Sequence, residues 1–538
     1  MCCIVGDILG IRVHRAWEFN STFPLRSIIP IYLTSAIPLL LLKALSSLCG
    51  FAISSYSLTV AVRLVVTLFS LITDHTAMQL ARWQGRDAGP AAVVMATSYV
   101  SLVYYTRTFS NTFESFLYAA LLYVVTRRSQ KQTSDFAGAV IISMLIVVGV
   151  FNRPTFVVFA MVPYLWWLFS DGVHRVIIKA MKSMLTAVPL SVALVICDSV
   201  YFGWLDINRL NVADLSDAAS IVLNNLTMTP LNFILYNTQT GNLAQHGIHP
   251  HYTHFVVNIP LLFSVLSLWF FYNLYCWCFW AIGLVNRKLM DISVYRRQLI
   301  LFTGCLVPVI LLSLFPHQEP RFLIPLLPVF AAMYSHKMAA SRVAIAFWVV
   351  ANLLGSLFYG CVHQAGVVPC LGYLQQTPPT TGDRHIVFWH TYTAPQHLLL
   401  LPSPTQDPVD GRVSPPISLE GNSVEDLIHH LTLINGSQAS RRREKPTVMV
   451  ATSSSEHQCL VCMASEAGMR LELVESFWPH LSIEHPPWIH DILCRAPPRN
   501  CCNNDDDDDD DDEFCERSLM ERIRFLTSLN LYRVNYIH

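Results

Sequence analysis

The chain has 538 residues, 53% of them apolar and 14% charged, where a soluble domain carries roughly 25% charge. Its formal net charge is −1 and it has no basic stripe, so nucleic acid is not an expected partner. The shortage of charge is local: apolar runs of membrane length recur from about residue 27 to 361, whereas 362–538 has ordinary soluble composition.

Residues 1–26 open with neither a basic n-region nor a full apolar span, which argues against a secretory signal and leaves targeting to the first internal span. Crossing a hydrocarbon layer takes about 20 apolar residues with every backbone group bonded internally, so the runs that follow predict helices. In chain order they are Ser27–Ser47, Tyr56–Thr73, Ala91–Tyr105, Phe116–Val125 with its flanks, Phe136–Phe151 and Thr155–Phe169. Met184–Phe202, Phe255–Val285, Leu299–Phe315, Phe322–Tyr334 and Val343–Tyr359 complete the set, about nine to eleven crossings within a membrane domain spanning 27–361.

Four Lys/Arg clusters, Arg82–Arg86, Arg127–Lys131, Arg175–Lys182 and Arg287–Arg297, are expected in the cytosol. The loops Tyr105–Glu114, Asp206–His254 and Pro316–Arg321 then face the lumen. Two apolar stretches between Arg26 and Arg82 leave the parity unclosed, so one of them is expected to be re-entrant or interfacial. Sequons at Asn20 and Asn225 fall in segments placed in the lumen, and a third, at Asn435, lies in the C-terminal tail.

In the C-terminal region 362–538, His385–His390 and Thr447–Thr452 read as strands. The eight-residue run Asp505–Asp512 cannot fold alone, because its charges repel and it buries nothing; it reads as a solvated insert, with weak divalent-cation binding as the alternative. Of the 15 cysteines, Cys276, Cys278 and Cys305 sit in apolar runs. Cys459, Cys462, Cys494, Cys501, Cys502 and Cys515 belong to the tail, where a lumenal setting permits disulfides. The fold class expected is an all-α polytopic membrane protein with a small, lumenal C-terminal α/β region.

The segment richest in chemistry is Phe315–Val329, FPHQEPRFLIPLLPV, which sets His317, Glu319 and Arg321 between two apolar runs. Charged groups at such a boundary face a cavity, a partner or the interface. Arg321 offers a planar fork for a phosphate, His317 can donate to a phosphate oxygen or move a proton, and Glu319 can orient either. A positive anchor with a local Glu–Arg pair explains the same residues structurally.

The pattern His317-Gln318-Glu319-Pro320-Arg321-Phe322-Leu323-Ile324-Pro325 resembles the signature of the dolichol-phosphate-mannose-dependent α-mannosyltransferases, glycosyltransferase family 22. Its form here is similar to the branch that adds a fourth mannose to the glycosylphosphatidylinositol (GPI) precursor. Thr229–Asn258, Tyr105–Glu114, Asn152-Arg153-Pro154-Thr155 and the tail segments Val387–Leu399, Pro479–Pro487 and Leu529–Val534 resemble the same group, so the likeness covers nearly the whole chain. It implies a GT-C type bundle in the endoplasmic reticulum membrane, with dolichyl phosphate mannose as donor, a trimannosyl GPI lipid as acceptor, inversion at the anomeric carbon and no cofactor. His317 and Arg321 would then contact the donor phosphate, with Glu319 orienting them.

The family's expected base lies in a His-Pro-Asp-Glu motif of the first lumenal loop, and this chain starts just downstream of it. Gly6–Gly10, Trp17–Phe19 and Phe23–Ser27 resemble the rest of that loop, so 1–26 reads as its remnant. The expectation is a different natural start or, failing that, an inactive product, and the catalytic residue stays unassigned. Asp7 and Glu18 are the nearest carboxylates, read as structural loop residues before substitute bases.

His246, His249, His251 and His254 lie within nine residues, but a zinc hydrolase also wants a nearby carboxylate base, so no metal is expected. The family likeness favours His249 and His254 as substrate contacts. Asn111 and Glu114 suit sugar hydroxyls through paired hydrogen bonds, and helix capping is their structural alternative. His457, Cys459 and Cys462 read as a disulfide or free thiols rather than half a zinc site. A transporter or scaffold would show repeated halves with broken midplane helices, and no such symmetry is evident.

Overall fold

The computed structural model describes residues 6–11, 16–131, 136–209, 215–244, 247–281, 292–377, 384–401, 414, 416–438, 447–453, 457–487 and 517–537. His246, the side chain of Asp7, Cys494, Cys501, Cys502, Cys515 and Asp505–Asp512 lie outside these residues. The chain divides into two compact units. The first is built mainly from Arg15–Leu41 and Val60–Gly355; the second joins Cys3–His14 and Leu42–Thr59 to Ser356–His538.

The first unit is helical. α1 (Ile37–Cys49) and α2 (Ser55–Trp83) are divided between the two units, and the main helices that follow are α3 (Gly89–Thr97), α4 (Ser110–Lys131), α5 (Phe136–Asn152), α6 (Phe156–Phe169) and α7 (Val176–Tyr201). After the short α8 (Thr229–Asn237) come α9 (Leu266–Ala281), α10 (Ile292–Ser313), α11 (Leu327–Ala339) and α12 (Arg342–Leu357). Six helical stretches among the described residues are long and apolar enough to cross a membrane, and Phe136–Asn152, Phe156–Phe169 and His254–Phe263 are shorter apolar helices. Apolar side chains stay exposed along them, Val343, Phe347 and Leu354 on α12 among them, as suits a surface whose solvent is lipid. This is a multi-span membrane protein. Inside the bundle, rings interlock: Phe263 stacks on Phe330 at 4.0 Å, and Phe270 packs on Phe302 and Phe330.

Two chemically distinct ends result. At one, Arg86 donates to the Met333 carbonyl (2.7 Å), Arg297 to that of Trp83 (2.6 Å), and Lys179 to that of Trp167 (2.7 Å). At the other gather the ends of α5, α7 and α10 and the start of α4. Ser27 and Ile28 reach this second end through the buried carboxylate of Asp198, whose Oδ1 accepts from both, while Oδ2 accepts from Thr229 (2.8 Å). The chain thus leaves the polar end at Ile28 and reaches the basic end at Trp83, which takes an odd number of crossings. Of the two apolar helical stretches between, Ile29–Cys49 and Ser55–Trp83, each is long and apolar enough to cross. Leu40, Leu41 and Leu45 in the first of these stretches are half-exposed, as suits a helix that meets lipid.

In the second unit a five-stranded sheet has the order β2-β1-β3-β5-β4. Its strands are β1 (Arg384–Trp389), β2 (Ile417–Ser418), β3 (Thr447–Ser453), β4 (Met469–Phe477) and β5 (Leu529–Tyr536). β1 is parallel to β2 and β3, while β5 runs antiparallel to β3 and β4. The two strands read from sequence are β1 and β3; β4 and β5 alternate too weakly to have been read. Leu427 and Leu431 of α14 (Val424–Gln438) and Leu460 and Ala464 of α15 (His457–Glu466) cover one face, against Val387, Val448 and Val450; α13 (Val367–Gln376) also belongs to this unit. Cys462 is disulfide-bonded. Also in this unit, Lys43 donates to the Ile8 carbonyl and Ser55 to the Gln375 side chain.

Candidate active site: three arginine–glutamate pairs at the polar end

Pro316–Phe322 leads from the end of α10 into a tight helical stretch, Pro320–Leu326, with prolines at both ends. Gln318 pins it. This buried side chain donates to the Ser313 and Phe315 carbonyls (both 3.1 Å), capping the open end of α10, and accepts from the His254 amide (2.9 Å). The flanking residues are thereby turned outward. Glu319 bridges its neighbours: Oε1 accepts from His317 Nε2 (2.9 Å) and Arg321 Nη2 (2.8 Å), and Oε2 pairs with Arg321 Nε.

Burial works against charge on Glu319, but the His317 hydrogen bond and the Arg321 guanidinium outweigh it and push the carboxyl down to about 2. His317 also points Nδ1 at the Gly247 carbonyl (3.1 Å), so both ring nitrogens face acceptors. Burial opposes its protonation, yet the Glu319 and Gly247 hydrogen bonds prevail and raise it above the ordinary histidine value. The trio is an imidazolium, a carboxylate and a guanidinium in series.

The second pair is set by a close helix reversal. Gly149 lies so near Phe156 that a Cβ there would meet the ring at 2.1 Å, and this contact lets α5 and α6 turn back across Asn152-Arg153-Pro154-Thr155. Arg153 then faces the first turn of α4. Its Nε lies 3.4 Å from Glu114 Oε2, and its Nη1 donates to Ser110 (3.1 Å) and Asn111 (3.4 Å). Thr155 donates to Glu114 Oε1 (3.0 Å) and Asn111 approaches Oε2 (3.5 Å). Glu114 therefore turns to Arg153 and Thr155 rather than back to cap its own helix. Burial, and then the charge of Arg26, lower Arg153 to about 10, with Glu114 opposing, so it stays charged at neutral pH.

The third pair joins Arg26 to Glu18, whose Oε1 accepts from Nε (3.1 Å) and Nη2 (2.9 Å). Burial opposes the Glu18 charge, but Arg26 outweighs it and holds the carboxyl below its usual range, a poor setting for a proton-accepting base. Arg26 also reaches the Asn152 carbonyl (3.5 Å), and its segment is fastened by Asn232 to the Pro24 carbonyl (3.0 Å) and Trp204 to that of Ser21 (2.7 Å). Phe322 links the pairs: Arg153 stands 5.1 Å from its centroid, His317 5.6 Å and His254 6.4 Å.

Exposure separates the three cations. The Arg321 side chain is 43% exposed, against 8% for Arg153 and 12% for Arg26. Of the pairs, only that one presents a guanidinium to an incoming group; the other two build its surroundings. The site histidines also part. The His249 amide donates to the Pro316 carbonyl (2.7 Å) and its Nδ1 accepts from the Gln318 amide (3.4 Å), while His251 Nδ1 meets the Ser313 carbonyl (2.8 Å). His254 is fully buried; Asn258 donates to its Nδ1 (2.9 Å), which places the proton on Nε2, an atom with no partner among the described residues.

The residues singled out from sequence, His317, Glu319, Arg321, His249, His254, Asn111 and Glu114, thus gather at one end of the first unit. Arg153, Arg26, Gln318 and Phe322 were not singled out as site residues. An arginine between two apolar runs was the available signal for Arg153; nothing local marks Gln318, whose role lies in contacts to distant segments.

The sequence profile of the Alg9-like mannosyltransferase family matches residues 4–401. Among curated proteins, the chain is 32% identical to GPI alpha-1,2-mannosyltransferase 4 of Homo sapiens, covering 91% of this chain and 85% of that one. It is 27% identical to GPI mannosyltransferase 4 of Drosophila melanogaster over the same shares. Among solved structures, ArnT from Cupriavidus metallidurans bound to undecaprenyl phosphate is similar with a TM-score of 0.45 and 11% identity, over 89% of this chain and 91% of that one. The arginine-lined polar end therefore belongs to a membrane-embedded glycosyltransferase, and the chain is a member of the Alg9-like mannosyltransferase family.

Proposed function

We propose that this chain moves mannose from dolichyl phosphate mannose to a trimannosyl GPI precursor, forming an α-1,2 linkage at the lumenal face of the endoplasmic reticulum membrane. The acceptor and linkage rest on the relatives, whose names state GPI mannosyl transfer and, for the human protein, the α-1,2 bond. The lumenal side rests on charge: Arg86, Arg297 and Lys179 lie at the end opposite the site, as cytosolic loops favour. The disulfide at Cys462 suits an oxidising compartment for the C-terminal region.

In the single displacement, an acceptor hydroxyl gives up its proton to a base and its oxygen attacks the anomeric carbon, the bond from that carbon to the phosphate oxygen breaks, and dolichyl phosphate departs with the electron pair. Charge builds on the leaving phosphate, which is where fixed donors lower the barrier. The observation that carries this reading is the Arg321–Glu319–His317 series: one carboxylate fixes a half-exposed guanidinium and a protonated imidazole side by side. Arg321 keeps N–H groups beyond those given to Glu319. Arg153 and Arg26 hold the wall behind them.

The experiment is transfer from labelled dolichyl phosphate mannose to purified trimannosyl GPI lipid by membranes containing the chain. The reading expects a fourth mannose removable by an α-1,2-specific mannosidase. Labelling of a lipid-linked oligosaccharide instead would reassign the acceptor.

A further inference from the structure

The second unit carries a polar cluster at the carboxyl ends of its parallel strands, where open α/β sheets commonly receive ligands. β1 ends in Trp389, β2 in Ser418, and the residues just beyond are His390 and Glu420. Both have positive φ, 54° and 35°, and so does Gln364 beside them at 56°, a backbone setting rare for residues with side chains. The His390 amide donates to the Glu420 carbonyl (2.8 Å), and its ring is sandwiched between Trp389 at 3.7 Å and a parallel His485 at 3.9 Å.

Two carboxylates are fixed in place here. The Tyr392 hydroxyl and Ser482 donate to Glu484, and Thr393 donates to Glu420. Burial opposes charge on Glu484, but the Tyr392 hydrogen bond outweighs it and holds the carboxyl below its ordinary value. Gln364 accepts from the Tyr392 amide through Oε1 (3.4 Å), while its Nε2 and the hydroxyl of Thr391 are buried polar atoms with no partner among the described residues. The Tyr392 ring, 53% exposed, meets His363 edge-on at 5.5 Å.

We infer that this cluster binds a neutral hexose unit. A phosphate is an anion and would meet the charges of Glu420 and Glu484; an ammonium only donates and would leave the Gln364 amide unanswered. Sugar hydroxyls do both, and the exposed face of Tyr392 offers a flat apolar surface to the C–H face of a pyranose. Glu420, Glu484 and His485 lie beyond residue 401, where the family match ends.

The test is saturation-transfer NMR on the full chain in detergent, with methyl α-mannoside, ethanolamine and inorganic phosphate as separate probes. Wild type and Arg321→Ala should both show mannoside contact, so loss of transfer and loss of this site are read separately. Glu484→Gln and Tyr392→Ala should weaken mannoside binding by about fivefold to tenfold, the loss of one or two hydrogen bonds, while Tyr392→Phe, which keeps the ring, should lose less than Tyr392→Ala. No mannoside contact in wild type, contact unchanged in both Glu484→Gln and Tyr392→Ala, or preference for ethanolamine or phosphate would each overturn the inference.

Discussion

Arg153 stands over Phe322 at 5.1 Å, and this pair joins two sequence elements that are 169 positions apart. One is the Asn152–Thr155 reversal; the other is the Phe315–Val329 segment that carries His317, Glu319 and Arg321. Phe322 presents one ring to Arg153, His317 and His254, so it fixes the spacing between the buried Arg153–Glu114 pair and the open Arg321–Glu319 pair. Phe322→Leu, which keeps volume but not the ring face, should raise KM for the lipid-linked donor several-fold and leave insertion unchanged. An unaltered donor KM would remove Phe322 from the site.

Arg153→Ala leaves Glu114 buried without its cation. Breaking a buried pair from one side costs about 3–5 kcal/mol, and the Glu114 side chain is 1% exposed. The variant should aggregate or unfold in detergent well below the wild-type temperature, whereas Arg153→Ala combined with Glu114→Gln should recover much of the loss. A double variant no more stable than the single one would show that the pair is not what holds this end.

The linkage between pH and the His317–Glu319 pair has a definite sign. Glu319 is pushed down to about 2 from an ordinary 4.5, so its contribution is present above pH 4.5 and is lost as pH falls through about 2. His317 is raised above 6.5, so its contribution is full below pH 6.5 and declines as pH rises through the raised value. Transfer by the wild type should fall on the alkaline side, and His317→Asn should lose that limb. If both enzymes show the same alkaline profile, the proton in question is not on His317.

Asn20 is exposed and precedes Ser21 and Thr22 in a turn, whereas Asn435 is exposed but lies within α14. Asn20 should carry an N-glycan, removable by endoglycosidase and absent in Thr22→Ala, because the turn leaves its backbone open. An unglycosylated Asn20, combined with modification of a sequon engineered between Arg82 and Gly89, would invert the orientation.

Much of the architecture was legible because its causes are local. Apolar runs predict membrane helices whatever their partners, and the alternation in His385–His390 and Thr447–Thr452 marked two strands of the sheet. The parity between Ile28 and Trp83 was not legible, since it rests on contacts that the two residues make with distant segments at opposite ends of the first unit. In the site, a motif of nine consecutive residues exposed His317, Glu319 and Arg321. Arg26–Glu18 and Arg153–Glu114 went unread as pairs because each depends on reversals that bring separate segments together. Gln318 lay inside the motif, yet its work is done on Ser313, Phe315 and His254, and residue type alone does not reveal that.

The most direct test replaces Arg321 and measures kcat/KM for dolichyl phosphate mannose at matched protein levels in membranes. Removing a donor aimed at developing charge costs about 10²–10³-fold, and a lysine supplies charge without the bidentate fork. Arg321→Ala should therefore fall by at least about a hundredfold, with Arg321→Lys recovering only part of it. Wild-type kcat/KM in Arg321→Ala, with normal insertion, would contradict the claim that this guanidinium holds the departing phosphate.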